Sequence, residues 1–420
     1  MIDLHPVPTL DAACPACGAA LRAVAPFVSG MFVCADAVCS GCGRRYYAHL
    51  DVGYGAGRSA MFDRAEARVV GPLAGEWFER AMGDALRRPD PRIPAVKVER
   101  LRPVRAPILV DCVDFLYGHT LQKLFDVPRI VAENPDRDVV VLVQRAQRWL
   151  VPDGVAEIWT VDLPLRDGAR CYPKLAASIA RRLARRGRAS VAGRVWSHSV
   201  DIAAFTRVAP FDLDSTAALG PPVVTLIWRE DRCWTYGGQD RPPPTDAIEQ
   251  AMLFTQLCAA IRAGLPDADI AVAGFGVTGV LPGGVADLRI APGAPVDEKA
   301  WLRRYAASHV VCGVHGSGML LPAAHAAAFV ELMPRDKWRH AGATYEFVAR
   351  KTPMHVLRHS RHVPVSIRVD ELATVVTALA RGVQSTALAR HLAAPDVDTA
   401  AVLARHGHLR ELLDPVVGDM

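Results

Sequence analysis

The segment from His309 to Pro334, HVVCGVHGSGMLLPAAHAAAFVELMP, most constrains how this chain can fold. Its residues 310–314 form a short apolar run bounded by turn residues, which predicts a buried strand. A glycine loop follows, and the Leu- and Ala-rich stretch 319–328 predicts a helix. A second apolar run, 329–332, predicts another strand. Strand, loop, helix and strand in this order predict a parallel βαβ unit.

The loop of this segment has the chemistry of an anion site. Gly316 and Gly318 allow backbone amides to approach a ligand, and a helix that begins there would direct positive charge towards it. Glu331 would lie near the end of the next strand, where open α/β sheets bind ligands and a carboxylate can accept hydrogen bonds from a ribose diol. We therefore predict a nucleotide diphosphate site, with His315 and Ser317 at the phosphates. A plain strand-to-helix turn with a surface glutamate is the alternative.

The motif GVHGSGMLLP…FVELMP resembles the signature segment of the family-61 glycosyltransferases and related capsule-type enzymes. Those enzymes carry a G-x-H-G-[AS]-G/N loop, a helix, and a strand that ends in hydrophobic-Glu-hydrophobic-x-Pro. The resemblance implies an α/β chain with two Rossmann-like domains in the GT-B arrangement. It also implies a nucleotide sugar held mainly by the C-terminal domain, and inverting sugar transfer. It covers the second half of the chain best, the first half weakly, and residues 1–52 not at all.

Two C-x-x-C pairs near the start of the chain predict a metal site. Cys14 and Cys17 form the first pair, Cys39 and Cys42 form the second, and each pair is followed by glycine. Four thiolates at this spacing fit tetrahedral Zn²⁺, so residues 1–52 are predicted to be a zinc ribbon whose metal supplies its folding energy. A pair of disulfides is the alternative, which the absence of a secretion signal disfavours.

Composition narrows the partners and the location. The net charge of +5 is too weakly basic to indicate nucleic acid, and the ribbon itself is not rich in Lys or Arg. We expect a structural or docking role for the ribbon; a nucleic-acid-associated protein is an alternative. The start of the chain lacks a basic region followed by an apolar core, and no run of about 18 apolar residues occurs. A cytoplasmic protein without a transmembrane helix is therefore expected.

The rest of the chain predicts four further regions. Residues 53–106 form a helix and a proline-rich linker, and residues 107–212 form an N-terminal Rossmann-like domain for the acceptor. Residues 221–360 form the C-terminal Rossmann-like domain for the donor, and residues 361–420 form terminal helices. The alternation of apolar runs with helical patterns in both large domains predicts parallel sheets.

The first large domain offers a candidate base. The stretch 115–119, FLYGH, precedes a predicted helix, and the family named above carries an aromatic-x-His segment at a similar place, facing the acceptor. The resemblance thus implies that His119 is a general base or positions the acceptor, since a neutral imidazole can take a hydroxyl proton. Asp114 is the alternative base. A capping or core histidine is the structural alternative.

The second large domain offers a candidate phosphate ligand. In family-61-like enzymes an arginine commonly follows the first strand of this domain, and Arg229 occupies that place after the run 223–228. A guanidinium can bind two phosphate oxygens and stabilise a departing diphosphate. Arg232 is the alternative, and a surface salt-bridge cluster is the structural explanation. None of the three D-x-D triplets lies beside the glycine loop, so no catalytic metal is expected.

Together these features predict a metal-independent glycosyltransferase that moves a sugar from a nucleotide-sugar donor to a glycan or glycoconjugate acceptor. A basic helix at 172–186 predicts peripheral contact with an anionic membrane surface or a charged glycan, with a solvated helix face as the alternative. A non-catalytic protein that binds nucleotide sugars or glycans is the alternative function.

Overall fold

The computed structural model describes residues 1–193, 201–235, 244–291, 293–294, 296–346, 359–393, 398–407 and 409. The chain divides into two compact units, residues 1–198 and 199–420. Each unit contains a six-stranded sheet with a parallel centre, and the first also contains a five-stranded antiparallel sheet. The predicted α/β class with two Rossmann-like sheets and a small cysteine-bearing sheet is confirmed.

The first unit contains β1 (Ile2–His5), β2 (Leu21–Ser29), β3 (Phe32–Cys39), β4 (Arg45–His49), β5 (Met61–Asp63), β6 (Arg68–Val70), β7 (Val96–Arg100), β8 (Ile108–Asp111), β9 (Val139–Gln144), β10 (Glu157–Val161) and β11 (Ala189–Val191). The order of its larger sheet is β1-β11-β8-β9-β10-β7. The four middle strands are parallel, and both edge strands are antiparallel to their neighbours. β8 and β9 are buried along their whole length, which explains their continuous apolar sequences.

The strand order of this sheet reverses beside β8. The helices of the first unit are α1 (Trp77–Arg87), α2 (Tyr117–Glu133) and α3 (Pro173–Ala184). From β8 the chain continues through α2 to β9 and then to β10, whereas β11 lies on the other side of β8. Open parallel sheets bind ligands at the carboxyl ends of their strands, at such a switch point. The ends of β8 and β11 are therefore the expected ligand edge of this unit.

The small sheet, β2 to β6 in sequential order, is an insertion and does not precede the larger sheet. It extends to Val70, beyond the predicted boundary at 52. β1 pairs with β11, and β7 pairs with β10, so two segments that were predicted to be ribbon and linker belong to the larger sheet. Both are short edge strands with many half-exposed residues, and such strands lack the continuous apolar sequence of a buried strand.

The second unit contains β12 (Val223–Arg229), β13 (Asp269–Phe275), β14 (Ala286–Ile290), β15 (Val310–Val314), β16 (Ala328–Met333) and β17 (Ser360–Pro364). Its helices include α4 (Ile202–Thr206), α5 (Pro244–Gly264), α6 (Glu298–Ala306), α7 (Leu320–His325), α8 (Val369–Leu392) and α9 (Thr399–Arg405). The sheet order is β14-β13-β12-β15-β16-β17, and all of these neighbours are parallel. The order reverses between β12 and β15, which therefore form the ligand edge expected for this unit.

The second unit starts well before residue 221, where the predicted donor domain begins. Thr206 in α4 contacts His325 of α7 through a 2.9 Å hydrogen bond, and the amide of Phe211 donates to the carbonyl of His325 at 2.7 Å. These buried bonds tie α4 and the chain after it to the second sheet. The predicted end of this domain at 360 also changes, because β17 continues to Pro364.

α8 is the one helix among the described residues that is long and apolar enough to cross a membrane, and half of its most apolar window is buried. Sequence analysis expected no such helix. Leu372, Val376 and Val383 of α8 lie in the same core cluster as residues of β12, β15 and α5. The core helix of a folded domain can have the same length and composition as a membrane span.

Candidate functional site

The ligand edge of the second sheet brings two guanidinium groups to the glycine loop. Arg229 is the last residue of β12, and His315 is the first residue after β15. A Cβ atom at position 316 would lie 2.6 Å from Nη1 of Arg229 and 2.8 Å from Nη1 of Arg232. Gly316 also has φ 143° and ψ −176°, a conformation that is essentially restricted to glycine. Glycine is therefore required both by its backbone conformation and by the approach of the two arginines.

Arg229 has a buried hydrogen-bond donor without a partner among the described residues. Arg229 donates from Nε and Nη2 to Asp231, at 2.9 and 2.6 Å, whereas its Nη1 is buried without a hydrogen-bond partner among the described residues. Arg232 donates from Nη1 to the carbonyl of His315 at 2.8 Å. Burial alone would raise the pKa of Asp231, but the Arg229 guanidinium lowers it below its ordinary value. A buried donor without a partner costs about 1–3 kcal/mol, which an anionic ligand would recover.

Glu331 lies inside β16 and is wholly buried. Its Oε2 lies 3.1 Å from Nδ1 of His315 and 3.1 Å from Nε2 of His362, and its Oε1 accepts a 2.8 Å hydrogen bond from Thr344. Burial would raise the pKa of this carboxyl, but the contacts with the two histidines and Thr344 lower it. The carboxylate that was predicted to bind a ribose is thus surrounded by three side chains of the protein itself.

The glycine loop continues into a shorter helix than predicted. Ser317 begins a 3₁₀ turn, Ser317–Met319, and α7 then covers six residues instead of the predicted 319–328. A Cβ atom at Gly318 would lie 3.3 Å from Cδ of Arg229. The helix ends early because the chain must turn at Ala326 to enter β16. So short a helix has little macrodipole, and charge complementarity at this loop depends on the arginines.

The ligand edge of the first sheet brings the two predicted catalytic residues together. Asp114 follows β8 by three positions, and His119 is the third residue of α2. Oδ1 of Asp114 lies 3.3 Å from Nδ1 of His119, and its Oδ2 lies 3.0 Å from Nζ of Lys123. Lys123, one helical turn after His119, is buried and also donates to the carbonyl of Val113 at 2.8 Å. Asp114 therefore contacts a histidine with one oxygen and a lysine with the other.

The two carboxyl groups at this edge differ in charge. Burial raises the pKa of Asp111, the last residue of β8, to about 7, although Lys123 opposes the shift. Burial also disfavours ionisation of Asp114, but Lys123 and His119 lower its pKa to about 2. Burial alone would lower the pKa of Lys123, which the two carboxylates raise instead. Asp114 is therefore ionised at neutral pH, while Asp111 is close to its midpoint.

Aromatic side chains from the small sheet and α1 cover His119. The ring of Tyr54 stacks on the imidazole, with centroids 3.5 Å apart and planes 17° apart, and the centroid of Trp77 lies 5.5 Å away. Tyr54 belongs to a 3₁₀ turn, Gly53–Gly55, between β4 and β5. A small pocket beside this turn is lined by Tyr54 together with Asp111, Asp114 and Lys123. Tyr54 and Trp77 thus cover one side of His119, and the sequence alone indicated neither contact.

Three residues of these sites were missed by sequence analysis, for different reasons. Lys123 follows His119 at the i,i+4 spacing of a helix face, which is a signal that was available. Tyr54 and His362 reach their partners only through tertiary structure, because His362 lies opposite Glu331 in the pairing of β16 with β17. No spacing within the sequence indicates either contact.

The four predicted cysteine ligands converge in the small sheet. The Sγ atoms of Cys14 and Cys42 are 3.7 Å apart, those of Cys17 and Cys39 are 3.4 Å apart, and all four lie within 4.8 Å of one another. A tetrahedral zinc with Zn–S bonds of 2.3 Å implies sulfur separations of about 3.8 Å, whereas a disulfide bond is about 2.05 Å long. The donor set therefore fits a metal ion, and these separations do not fit the alternative of two disulfides.

Both cysteine pairs form the same turn. The amide of Gly18 donates to the carbonyl of Cys14 at 2.8 Å, and the amide of Gly43 donates to the carbonyl of Cys39 at 3.1 Å. Both glycines have φ near +70°, the left-handed conformation that glycine adopts most readily. The Sγ atom of Cys39 also accepts bonds from two backbone amides at 3.3 Å. The glycine after each pair thus has a geometric purpose, as its place in the sequence indicated.

The basic helix α3 is partly engaged with its own unit. Arg186, just after the helix, contacts Glu157 at 2.7 Å, and the Arg182 guanidinium lies 6.0 Å from the centre of the Trp159 ring. These two basic side chains therefore pack on their own unit, whereas the alternative to membrane contact was a solvated helix face. Peripheral membrane contact through the remaining basic side chains stays a prediction.

No protein-family model and no curated protein matches this chain. Among solved structures, the chain is similar to the glycosyltransferase SnogD from Streptomyces nogalater, at 11% identity over 66% of this chain and 79% of that one, with a TM-score of 0.22. The glycotransferase of kitacinnamycin is 14% identical over 74% and 75% of the two chains, with a TM-score of 0.27. The spinosyn rhamnosyltransferase SpnG is 14% identical over 73% of each, with a TM-score of 0.26. Likenesses this distant support no argument about fold or function.

Proposed function

We propose that this chain is a glycosyltransferase that moves a sugar from a nucleotide-sugar donor to a glycan or glycoconjugate acceptor, with inversion and without a metal at the reacting atoms. The observation that carries the proposal is the approach of Arg229 and Arg232 to Gly316 at the switch point of the second sheet. The resemblance of this loop to the family-61 signature supports the same function.

The donor diphosphate would bind at the ends of β12 and β15. Nη1 of Arg229 supplies a donor that has no hydrogen-bond partner among the described residues, and Arg232 adds a second positive charge. Because Nδ1 of His315 contacts Glu331, its Nε2 is the nitrogen that remains for a phosphate oxygen. Ser317 and Gly318 complete the loop around the phosphates. These groups would stabilise the negative charge that develops as the bond between the anomeric carbon and the diphosphate oxygen breaks.

Glu331 has a different task in this proposal from the predicted ribose contact. Its three side-chain partners include His315, so we assign it the positioning of that imidazole. A buried carboxylate fixes the orientation of a histidine and favours the tautomer with a proton on the nitrogen facing it. The ribose would then be bound by other groups of the donor site.

The acceptor hydroxyl would be activated by His119. Asp114 is buried, and its low pKa makes it a weak base, so it serves to hold Nδ1 of His119. Nε2 of His119 then accepts the hydroxyl proton while the acceptor oxygen bonds to the anomeric carbon. Asp114 stabilises the imidazolium that results. Of the two candidate bases, the geometry thus favours His119.

Zn²⁺ is the proposed metal of the cysteine cluster. Cys14, Cys17, Cys39 and Cys42 supply four thiolates, the ligand set of structural zinc sites, which have no open position for a substrate. The metal would contribute folding energy to the small sheet and no step of the reaction.

The first test is nucleotide binding, measured as the melting temperature of the full chain with UDP, GDP, CMP or dTDP and their sugars. We expect one nucleotide family to stabilise the wild type, by about 2.7 kcal/mol at a hundredfold excess over Kd. Arg229→Met should lose this stabilisation. Arg390→Met is the matched control, because Arg390 lies on α8 and forms an exposed ion pair with Asp214 at 2.7 Å.

The result separates the two functional hypotheses. If no nucleotide shifts the melting temperature of the folded, zinc-loaded protein, the glycosyltransferase proposal fails. If a nucleotide sugar binds at the Arg229 site but is neither transferred to any glycan nor slowly hydrolysed, the non-catalytic alternative replaces it. Transfer that is abolished in Arg229→Met and retained in Arg390→Met supports the enzyme.

A further inference from the structure

A single strand of the small sheet connects the cysteine cluster to the stack on His119. β4 begins at Arg45, soon after Cys42, and the hydroxyl of its Tyr46 lies 3.4 Å from Sγ of Cys14. The same strand ends at His49, and the chain then enters the turn that carries Tyr54. Displacement of the cysteines would therefore be transmitted along β4 to this turn.

The turn is fixed from both sides by close packing. The amide of Gly53 donates to the carbonyl of Gly193, just after β11, at 3.1 Å. A Cβ atom at Gly53 would lie 3.5 Å from Cε of Lys123, and a Cβ atom at Gly55 would lie 2.1 Å from the His49 ring. The turn thus fits between the end of β4 and the ligand edge of the larger sheet, and side chains at these two glycines are limited by that space.

The stack supplies a restraint that Asp114 cannot. Oδ1 of Asp114 lies 3.3 Å from Nδ1 of His119, a contact that restrains one ring nitrogen but leaves the plane of the imidazole free to tilt. The Tyr54 ring lies almost parallel to the imidazole at 3.5 Å, and Trp77 lies beside both rings. The two restraints together define the orientation of Nε2, the nitrogen that takes the proton in the proposed reaction.

We propose that Tyr54 is a positioning residue for His119, and that the metal-bound small sheet serves the acceptor site by holding Tyr54 in place. The cysteine cluster is then part of the catalytic unit and not a separate docking module. Only the expected effect on turnover rests on the proposed function. The orientation of His119 can be measured without any substrate.

The test is an NMR measurement of the His119 imidazole in the full chain, assigned by its loss in His119→Asn. Tyr54→Leu removes the aromatic ring and should shift the His119 resonance, because the ring current and the restraint on the plane are both lost. Tyr54→Phe keeps the stack and should restore the wild-type position. Phe275→Leu is the matched control, because Phe275 of β13 lies in the second unit and packs against Trp301, with centroids 5.1 Å apart, so His119 should keep its wild-type resonance.

Turnover supplies a second readout. We expect Tyr54→Leu to lower kcat about tenfold or more, a loss that Tyr54→Phe rescues, with nucleotide binding to the second unit unchanged. The nitrogen shifts of His119 report its tautomer, and they are compared after allowance for the lost ring current. If these shifts in Tyr54→Leu equal those of the wild type, the proposal is overturned. An equal loss of kcat in Tyr54→Phe would also overturn it.

Removal of the metal tests the second half of the inference. A strong chelator, applied to the full chain, should move the His119 nitrogen shifts in the same direction as Tyr54→Leu does, and added Zn²⁺ should reverse this. If the chelated protein stays folded and His119 keeps its wild-type shifts, the cysteine cluster does not act on the site. If the chelated protein unfolds, the variant Cys42→Ser, with zinc bound to the three remaining cysteines, is used instead. Its His119 nitrogen shifts are then compared with those of the wild type. If the His119 nitrogen shifts change in Tyr54→Leu and on removal of the metal, but no nucleotide binds, this inference holds and the glycosyltransferase proposal fails.

Discussion

The ligand edges of the two larger sheets carry different charged groups. The edge of the first sheet holds two carboxyl groups, Asp111 and Asp114, with Lys123 between them. The edge of the second sheet holds Arg229 and Arg232 beside a glycine loop. The same topological rule places a ligand site at each edge, but the charge there decides the class of ligand. In the proposed function, the hydroxyl that must lose a proton would bind at the first edge and the anionic diphosphate at the second.

Each edge keeps a buried polar atom without a hydrogen-bond partner among the described residues, Oδ2 of Asp111 at the first edge and Nη1 of Arg229 at the second, but the edges differ in the charged groups that do pair. At the first edge, both oxygens of Asp114 contact side chains of its own unit. At the second edge, Nη1 of Arg229 stays buried without a partner among the described residues. The charged pair of Asp114 and Lys123 is therefore in place at the first edge before a ligand binds, and a ligand at the second edge would gain a buried contact with Arg229. Substitutions at the first edge should change turnover, and those at the second should change binding.

The largest effect is expected from His119→Ala. Loss of a general base costs a factor of about 10²–10⁴ in kcat, while nucleotide affinity at the second edge should stay unchanged. Single-turnover transfer and the nucleotide-induced rise in melting temperature measure the two quantities separately. His391→Ala is the control. This histidine lies on α8, and the one hydrogen bond that the structure describes for it is with the carbonyl of Ala387, at 2.9 Å. Turnover within twofold of the wild type would contradict the assignment of the base.

The next effect is expected from alanine at the two loop glycines. At Gly316, the new Cβ meets the Arg229 guanidinium at 2.6 Å, and the backbone conformation is one that alanine avoids, which costs about 1–3 kcal/mol. At Gly318, the nearest atom is 3.3 Å away and φ is ordinary, so the cost should be smaller. Denaturant unfolding and nucleotide titration of both variants test this order. Equal losses at the two positions would show that Arg229 does not depend on the loop.

The fold was predictable where burial leaves a local pattern. β8, β9, β12 and β15 are buried on both faces, and their apolar runs indicated them. The cysteine ligands were predictable because one short turn sets the spacing of each pair. β1 and β7 were not, since half-exposed edge strands have no such pattern. The site residues at strand ends followed from the parallel topology, but Tyr54 and His362 depend on which elements pack together. That choice is made by tertiary contacts, which a single sequence does not display.

A smaller effect is expected from Glu331→Gln, which keeps the shape of the side chain and removes its charge. If Glu331 acts through His315, the variant should lose about ten- to hundredfold in affinity for nucleoside diphosphates, since a buried contact of this kind is worth about 1.5–3 kcal/mol. Its affinity for the free nucleoside should not change. Calorimetric titration with both ligands distinguishes this from a direct ribose contact, which would weaken the binding of nucleoside and diphosphate equally.

A different kind of effect, on the pH dependence of stability and not on turnover or binding, is expected from Asp111→Asn. The pKa of Asp111 is about 7 in the folded chain and about 3.9 in an unfolded one, so between pH 4 and 7 the folded state binds more protons. Stability contributed by this group is present below pH 4 and falls as the pH rises, by at most about 1.4 kcal/mol per unit. The pKa of Asp114 is lowered instead, to about 2, so its contribution disappears only below pH 4. The difference in unfolding free energy between wild type and variant from pH 4.5 to 7 thus isolates Asp111. A flat difference would mean that Asp111 is ionised throughout, and that the first edge carries two negative charges and not one.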